Sequence, residues 1–273
     1  MTLAALVEWT LLASRVKKEL MNMKMTTSQS GLHHDLPVDL HTHTVASGHG
    51  TTDTISDMAK EAAARGMQLL GISDHGPRTF GAATESYFRS LKSAPRVRFG
   101  VQIRYGAEVN ILEGGTLDLP DSVLADLDYV IASMHTPPRR CPHGAATSGS
   151  VEENTRDYLL AMRSPYVHIL GHCDRPRFPA DYERIIRAAW ENNVIIEINN
   201  ASLSPEGDRE LAGSCARDNC KALLALCLQY RVPILISSDS HGREHIGDAP
   251  EAMELIRSMC FPKELIRNYT GRF

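Results

Sequence analysis

The sequence predicts an α/β fold, a distorted seven-stranded (β/α)7 barrel forming a single domain. Three observations carry this. Short apolar runs alternate with helical patterns seven times from Pro37 onward. The runs are almost continuously apolar, as strands covered by helices on both faces must be. Nearly every run ends in a residue able to ligate a metal. In a closed barrel all strand ends meet on one face, whereas an open sheet gathers ligands only near its switch point.

Val38–Leu40 reads as the first strand, followed by His41, His43 and His49. Thr54 and Asp57 form a cap pair opening a helix that runs to Arg65, and Gly66 stops it. Leu69–Ser73 is a strand leading to Asp74 and His75, and residues 83–93 are helical up to Pro95. Val101–Val109, rich in β-branched residues, is a strand carrying Glu108. Glu113–Leu119 reads as a turn or short hairpin, and Pro120 with Asp121 starts a brief helix. Tyr129–Ser133 is a strand that leads to His135, and Thr136–Ser150 is a loop. Val151–Met162 is helical, Val167–Gly171 is a strand ending at His172, and Pro179–Glu191 is an amphipathic helix. Val194–Ile198 is a strand, Arg217–Tyr230 a helix, and Pro233–Ser237 the last strand, followed by Asp239 and His241. Pro250 suits a helix start and opens Pro250–Met259.

The length of 273 residues fits one such barrel, which commonly needs about 250. Hydrophobic content of 42% and charged content of 23% are ordinary for a globular chain. A net charge of -4 disfavours nucleic acid as the main partner. Six cysteines form no C-x-x-C pair, which speaks against a zinc ribbon or a redox motif. Their sparse, irregular spacing fits a reducing compartment, so a cytoplasmic location is expected. Leu3–Leu12 contains Glu8 and is too short for a bilayer, which needs ~20 residues, so no membrane association is expected. Residues 1–36 read as an extension outside a catalytic domain spanning 37–273.

His41-Thr42-His43 is the anchor of the chemistry, because residues i and i+2 of an extended chain point the same way. Glu108 lies within a run that should be buried, and a buried carboxylate needs a cation or a hydrogen-bonding partner. The alternative for it is an ion pair with an arginine such as Arg104. Asp239-Ser240-His241 repeats the i, i+2 geometry after the last strand. His135 or His172 alone would read as a core histidine. Together His41, His43, His49, His75, Glu108, His135, His172, Asp239 and His241 describe a polynuclear metal site, with Glu108, Asp239 and His241 at the centre of its chemistry. Asp39 and Asp74 are expected to support ligands from behind. Donors of this kind suit zinc first, with manganese or iron as alternatives.

In its order of motifs the chain resembles the PHP (polymerase and histidinol phosphatase) family, and within it the YcdX-like branch. The resemblance rests on Val38–His43, Ser73–Gly76, Gly106–Asn110, Ser133–His135, Gly171-His172, Glu197–Asn200 and Ser237–His241, and it covers residues 37–273. It implies a distorted barrel, three divalent metal ions and phosphoesterase activity. It implies that His41, His43, Glu108 and Asp239 hold the first metal. Glu108 would bridge to a second, completed by His135 and His172. His49, His75 and His241 would hold the third.

The expected reaction is hydrolysis of a small phosphorylated substrate by a metal-bridging hydroxide. Arg139, Arg140, Arg175, Arg177 and Arg243, near strand-end loops, are candidates to bind the phosphate. The competing readings are a metal-dependent amidohydrolase, a PHP-type nuclease and a non-catalytic metal-binding protein.

Overall fold

The computed structural model describes residues 36–135, 149–207, 211 and 213–270. The extension over 1–36, the Gly144–Ser150 loop, Arg139 and Arg140 fall outside these, in whole or in part.

Chain order is β1 (Val38–Asp39), β2 (Thr42–His43), α1 (Ile55–Ala64), β3 (Leu69–Ile72), α2 (Glu85–Ser90), β4 (Val97–Arg98) and β5 (Val101–Asn110). It continues with α3 (Asp121–Leu124), β6 (Tyr129–Ser133), α4 (Val151–Ala161), β7 (Ile169–Leu170), α5 (Tyr182–Asn192) and β8 (Ile195–Asn199). Then come α6 (Asn200–Leu203), α7 (Ala216–Tyr230), β9 (Ile234–Ser237), β10 (Ser240–His241), α8 (Pro250–Ser258) and α9 (Arg267–Thr270). The cap pair at α1 forms as the sequence predicts, with Thr54 and Asp57 side chains each accepting from the other's backbone N–H. Ser150 and Glu153 repeat the device at α4.

Seven parallel strands lie in the order β1-β3-β5-β6-β7-β8-β9, a nearly closed barrel. β4 adds an antiparallel edge to β5. The wall closes in an unusual way. Among the described residues, no ladder joins β9 to β1. Asn268, buried at the start of α9, spans the seam instead. Its amide nitrogen donates to Val38 O (2.9 Å) and Ile236 O (2.7 Å), and its oxygen accepts from Ile236 N–H (2.8 Å). At the carboxyl ends, β10 pairs in parallel with β2 and sets His241 beside His43.

β7 is shorter than the five-residue strand the sequence predicts. A Cβ on Gly171 would lie 2.1 Å from Ser133 Oγ, so the chain passes too close to β6 for a side chain. His172 then turns into a positive φ of 25°. α5 also starts later than Pro179, because Asp181 caps it by accepting from Arg184 N–H.

The barrel interior is filled by Val38, Leu40, Leu69, Tyr129, Ile131, Ile169, Ile195 and Leu235. Gly71 and Gly106 make room for the Tyr129 ring, whose hydroxyl donates to Leu40 O at 2.6 Å. This plug leaves only the carboxyl-terminal mouth of the barrel for polar groups. A larger apolar layer packs the outer faces of the strands against the helices.

Candidate metal centre

The strand ends deliver the predicted donors to one point. Glu108, fully buried near the end of β5, is its hub. Its Oε1 lies 2.9 Å from His172 Nε2, 3.0 Å from His135 Nε2 and 3.3 Å from His41 Nε2. Its Oε2 lies 2.7 Å from His75 Nδ1 and 3.5 Å from His43 Nε2. Asp239 Oδ1 sits 3.1 Å from His43 Nε2 and 3.4 Å from His41 Nε2. The His241 ring stacks on His43 at 4.2 Å between centroids, and the His49 ring lies 4.9 Å from both His75 and His241. All nine sequence-predicted donors thus share one cluster. Three triads among them have ligand atoms mutually within 4.8 Å: His41, His43, Glu108; His75, Glu108, His135; and His43, His75, His241.

The far nitrogens of the rings fix which nitrogen faces inward. His41 Nδ1 contacts Glu197 Oε1 at 2.5 Å, and the other oxygen of Glu197 accepts from the backbone N–H of His172 at 2.7 Å, which holds its backbone rather than its ring. Ser47 donates to Asp74 (2.8 Å), so it must accept from His43 Nδ1–H (2.9 Å). His135 Nδ1 donates to Asn110 Oδ1 (2.9 Å), and His241 Nδ1 donates to the Asp239 carbonyl (3.2 Å). In each case the Nε2 lone pair is left for a cation, the arrangement that metal-ligating histidines adopt.

Several inward atoms have no hydrogen-bonding partner: His41 Nε2, His75 Nδ1, Glu108 Oε2 and His241 Nε2. Lone pairs held against lone pairs in a buried site are costly unless a cation lies among them. The donor set therefore fits bound divalent ions.

Protonation favours the same conclusion. Burial would raise the Glu108 carboxyl, but His135, His41 and His75 hold it well below the usual carboxylate range. Asp239 is likewise held low against burial, by His41 and His43. Burial, helped by the charge of His75, pushes His43 well below its ordinary value. Burial and then Arg175 bring His172 down to about 4. His41 is the exception. Burial pulls it down, yet Glu197, Glu108 and Asp239 together lift it well above the usual imidazole range. The Glu108 and Asp239 carboxylates are charged and the His43 and His172 rings neutral, which is the ligating form.

The supporting carboxylates divide. Asp74 acts through Ser47 on His43, and it also accepts from Thr44 N–H (2.7 Å) and the Tyr87 hydroxyl. Asp39 touches no imidazole ring. It accepts from His41 N–H (3.2 Å), the Ser238 hydroxyl and Gly247 N–H (3.0 Å), tying β1 to the loop that carries Asp239. Of the described arginines, only Arg175 touches the cluster, at 3.3 Å from Asp239 Oδ2. Arg177 lies over the Phe178 ring, and Arg243 is tied to Asp53 at 2.7 Å. His172 and Asp239 both hold positive φ, 25° and 55°, a strain that persists only where the surroundings over-determine the backbone.

The sequence reading gave no role to Glu197, Ser47, Asn110 or Asn199. Glu197 carried the same signal as Glu108, a lone carboxylate inside an apolar run. Asn199 donates to both Glu197 (3.2 Å) and Asp239 (3.1 Å).

Comparison with known proteins places this arrangement. The family described as PHP domain matches residues 39–202. This chain belongs to the PHP family. A "Probable phosphatase" of Clostridium novyi is 41% identical over 232 residues, 85% of this chain and 89% of the relative. One from Acetivibrio thermocellus is 37% identical over 232 residues, covering 85% and 90%. Among solved structures, histidinol phosphate phosphatase of Lactococcus lactis, complexed with zinc, L-histidinol and phosphate, superposes with a TM-score of 0.56. It is 18% identical and covers 82% of this PHP protein and 94% of its own chain, a likeness of fold.

Proposed function

We propose that this PHP-family phosphatase hydrolyses small phosphomonoesters with three divalent ions, zinc foremost, held by the nine clustered donors. The observation that carries the reading is the set of buried, unpartnered lone pairs converging around Glu108. Glu108, with two oxygens turned to different imidazoles, is placed to be shared between ions. His41, His43 and Asp239 complete one side of it, His135 and His172 another, and His49, His75 and His241 the third.

Divalent ions held there would supply an activated water and the positive charge a phosphoryl group needs. The chain's own residues do the rest. Glu197, Ser47 and Asn110 fix the ring planes of His41, His43 and His135, so the donors need little reorganisation on binding. Arg175 has a partly exposed side chain that donates from Nε to Ser202 Oγ (3.4 Å) and from one Nη to Asp239 (3.3 Å), which leaves N–H groups on its Nη atoms for a phosphoryl oxygen. A cavity of about 540 Å³ beside Asp239 and His241, also lined by Asn200, Ser204 and Glu251, has room for a small leaving group. His49 is the exposed ligand of the set, and His241 and His135 follow at 25% and 16% side-chain exposure, so substrate approaches from their side.

The test is to measure bound metal per chain and assay a phosphomonoester, a phosphodiester and an amide. Three ions with monoester hydrolysis are expected. Turnover of the amide alone would support an amidohydrolase. Turnover of the diester alone would support a nuclease, and full metal loading without turnover a binding protein.

A further inference from the structure

The cavity beside Asp239 and His241 holds one polar donor that the fold leaves unused. Asn200 opens α6 and lines the cavity wall. It is buried, at 8% exposure. Its Oδ1 accepts from Glu251 N–H (3.1 Å) and Ala252 N–H (3.1 Å), in the first turn of α8. An amide nitrogen cannot accept, so these two donors decide which end of the side chain faces α8. Nδ2 has no hydrogen-bonding partner among the described residues. It is not sealed in the interior either, so it opens on the cavity that Asn200 lines. The preceding residue, Asn199, donates to Glu197 and Asp239, which ties the backbone carrying Asn200 to the metal centre. The hydroxyls on the same wall are committed. Ser204 donates to Ala201 O (2.9 Å), Ser238 to Asp39 and Ser240 to Gly242 O. Among the carboxylates, Asp248 is engaged by Arg65 (2.6 Å) and His245 (3.2 Å). The Glu206 and Glu251 side chains, which also line the cavity, have no ion-pair or hydrogen-bonding partner among the described residues.

The wall thus offers one fixed amide donor and two carboxylate acceptors. A hydroxyl group answers this pattern. It can accept from Asn200 Nδ2–H while donating to a carboxylate, and it brings no charge. An ammonium group has no lone pair for the amide. A carboxylate or a second phosphate would meet Glu206 and Glu251 as like charges. We propose that Asn200 is a specificity-determining residue that hydrogen-bonds a hydroxyl of the leaving group, and that the preferred substrates are monophosphate esters of neutral polyhydroxyl compounds. The inference rests on the phosphatase reading above and names the substrate class of that site.

The test compares glycerol 2-phosphate with methyl phosphate in the zinc-loaded wild type and Asn200→Asp. Aspartate keeps an oxygen for the two α8 N–H groups and removes the donor. The ratio of kcat/KM for the glycerol ester over the methyl ester should fall roughly tenfold, the scale of one lost hydrogen bond. A change in metal loading or folding acts on both esters and would not move this ratio. The second contrast is 2-phosphoglycerate, which carries a carboxylate where glycerol 2-phosphate has a hydroxymethyl group. The wild type should prefer the glycerol ester by about tenfold or more, and the double variant Glu206→Gln, Glu251→Gln should bring that preference down to about threefold. An unchanged ratio in either variant overturns the proposal, and so does a wild type that favours 2-phosphoglycerate or phosphoethanolamine over glycerol 2-phosphate. Calorimetry with 2,3-dihydroxypropylphosphonate and propylphosphonate reads the hydroxyl contrast without turnover. Tighter binding of the dihydroxy probe in the wild type, lost in Asn200→Asp, supports the assignment even if no ester is cleaved, whereas equal binding of the two probes sinks it. Failure of the phosphatase reading shows instead as zinc-loaded wild type that cleaves no phosphomonoester.

Discussion

His41 and His49 lie eight residues apart in the chain, yet they sit at opposite extremes of the cluster. His41 is completely buried, its outer nitrogen locked to Glu197 and its inner nitrogen facing Glu108 and Asp239. His49 is exposed, on a Gly-rich loop. Around His41, hydrogen-bonding side chains set the ring planes. Around His241, the backbone does it: its Nδ1 donates to the Asp239 carbonyl (3.2 Å), and a Cβ on Gly50 would stand 2.7 Å from its ring. The inner half is thus pre-organised by polar groups that cannot move without leaving a buried atom unsatisfied. The outer half is shaped by glycines and open to exchange with solvent. If three ions bind as proposed, the inner ones should be held tightly and the outer one should come and go with metal concentration.

Glu108→Ala is the most severe way to break this contrast, because that residue faces both halves. Activity should fall on the order of 10³-fold, the scale for losing a pre-organised charge-stabilising group, and elemental analysis should show the loss of more than one ion. Normal turnover in this variant would remove its sharing role. Glu197→Gln tests the inner half alone. It keeps the shape but removes the charge behind His41, and inner-metal affinity measured by chelator competition should weaken about 10- to 100-fold.

His49→Ala and Gly50→Ala address the outer half. Each should lose one ion and leave the other two at wild-type occupancy. Loss of all three ions in either would show that the halves are not independent.

The smallest effect concerns pH in the chelator-treated protein. His172 has its folded value lowered from 6.5 to about 4, so the fold favours the neutral ring. Its contribution, roughly 3 kcal/mol from that shift, is present above pH 6.5 and is lost as pH falls toward 4. His41 has the opposite sign. Its contribution is complete below 6.5 and fades as pH rises through its elevated folded value. Thermal melting should therefore show a drop on the acid side that His172→Gln flattens, and a separate alkaline decline that His41→Gln removes.

The strand ends were legible because each ligand follows an apolar run, and periodicity reports such runs directly. The nine donors come together because the topology that brings those ends together was itself readable. Ser47 and Asn110 were not. Each is one polar residue in a loop or strand end, and its role depends on which ring lies beside it in space. Arg175 could not be told from Arg177 and Arg243, since loop arginines take their partners from the folded surroundings, Asp239 in one case and Asp53 in another. β7 was overestimated at both ends, because Val167 N–H turns back to Ser164 O and the chain bends into a positive φ at His172 just after Gly171.

The Asn268 seam bears on how the molecule is made. Its partner Val38 lies 230 positions earlier in the polypeptide. During translation the first strand must wait, one edge unmatched, until the segment carrying Asn268 has left the ribosome. Contacts so distant in sequence form late. A nascent chain stalled before Asn268 would expose that edge, which makes the interval before α9 emerges the one in which a chaperone has most to protect.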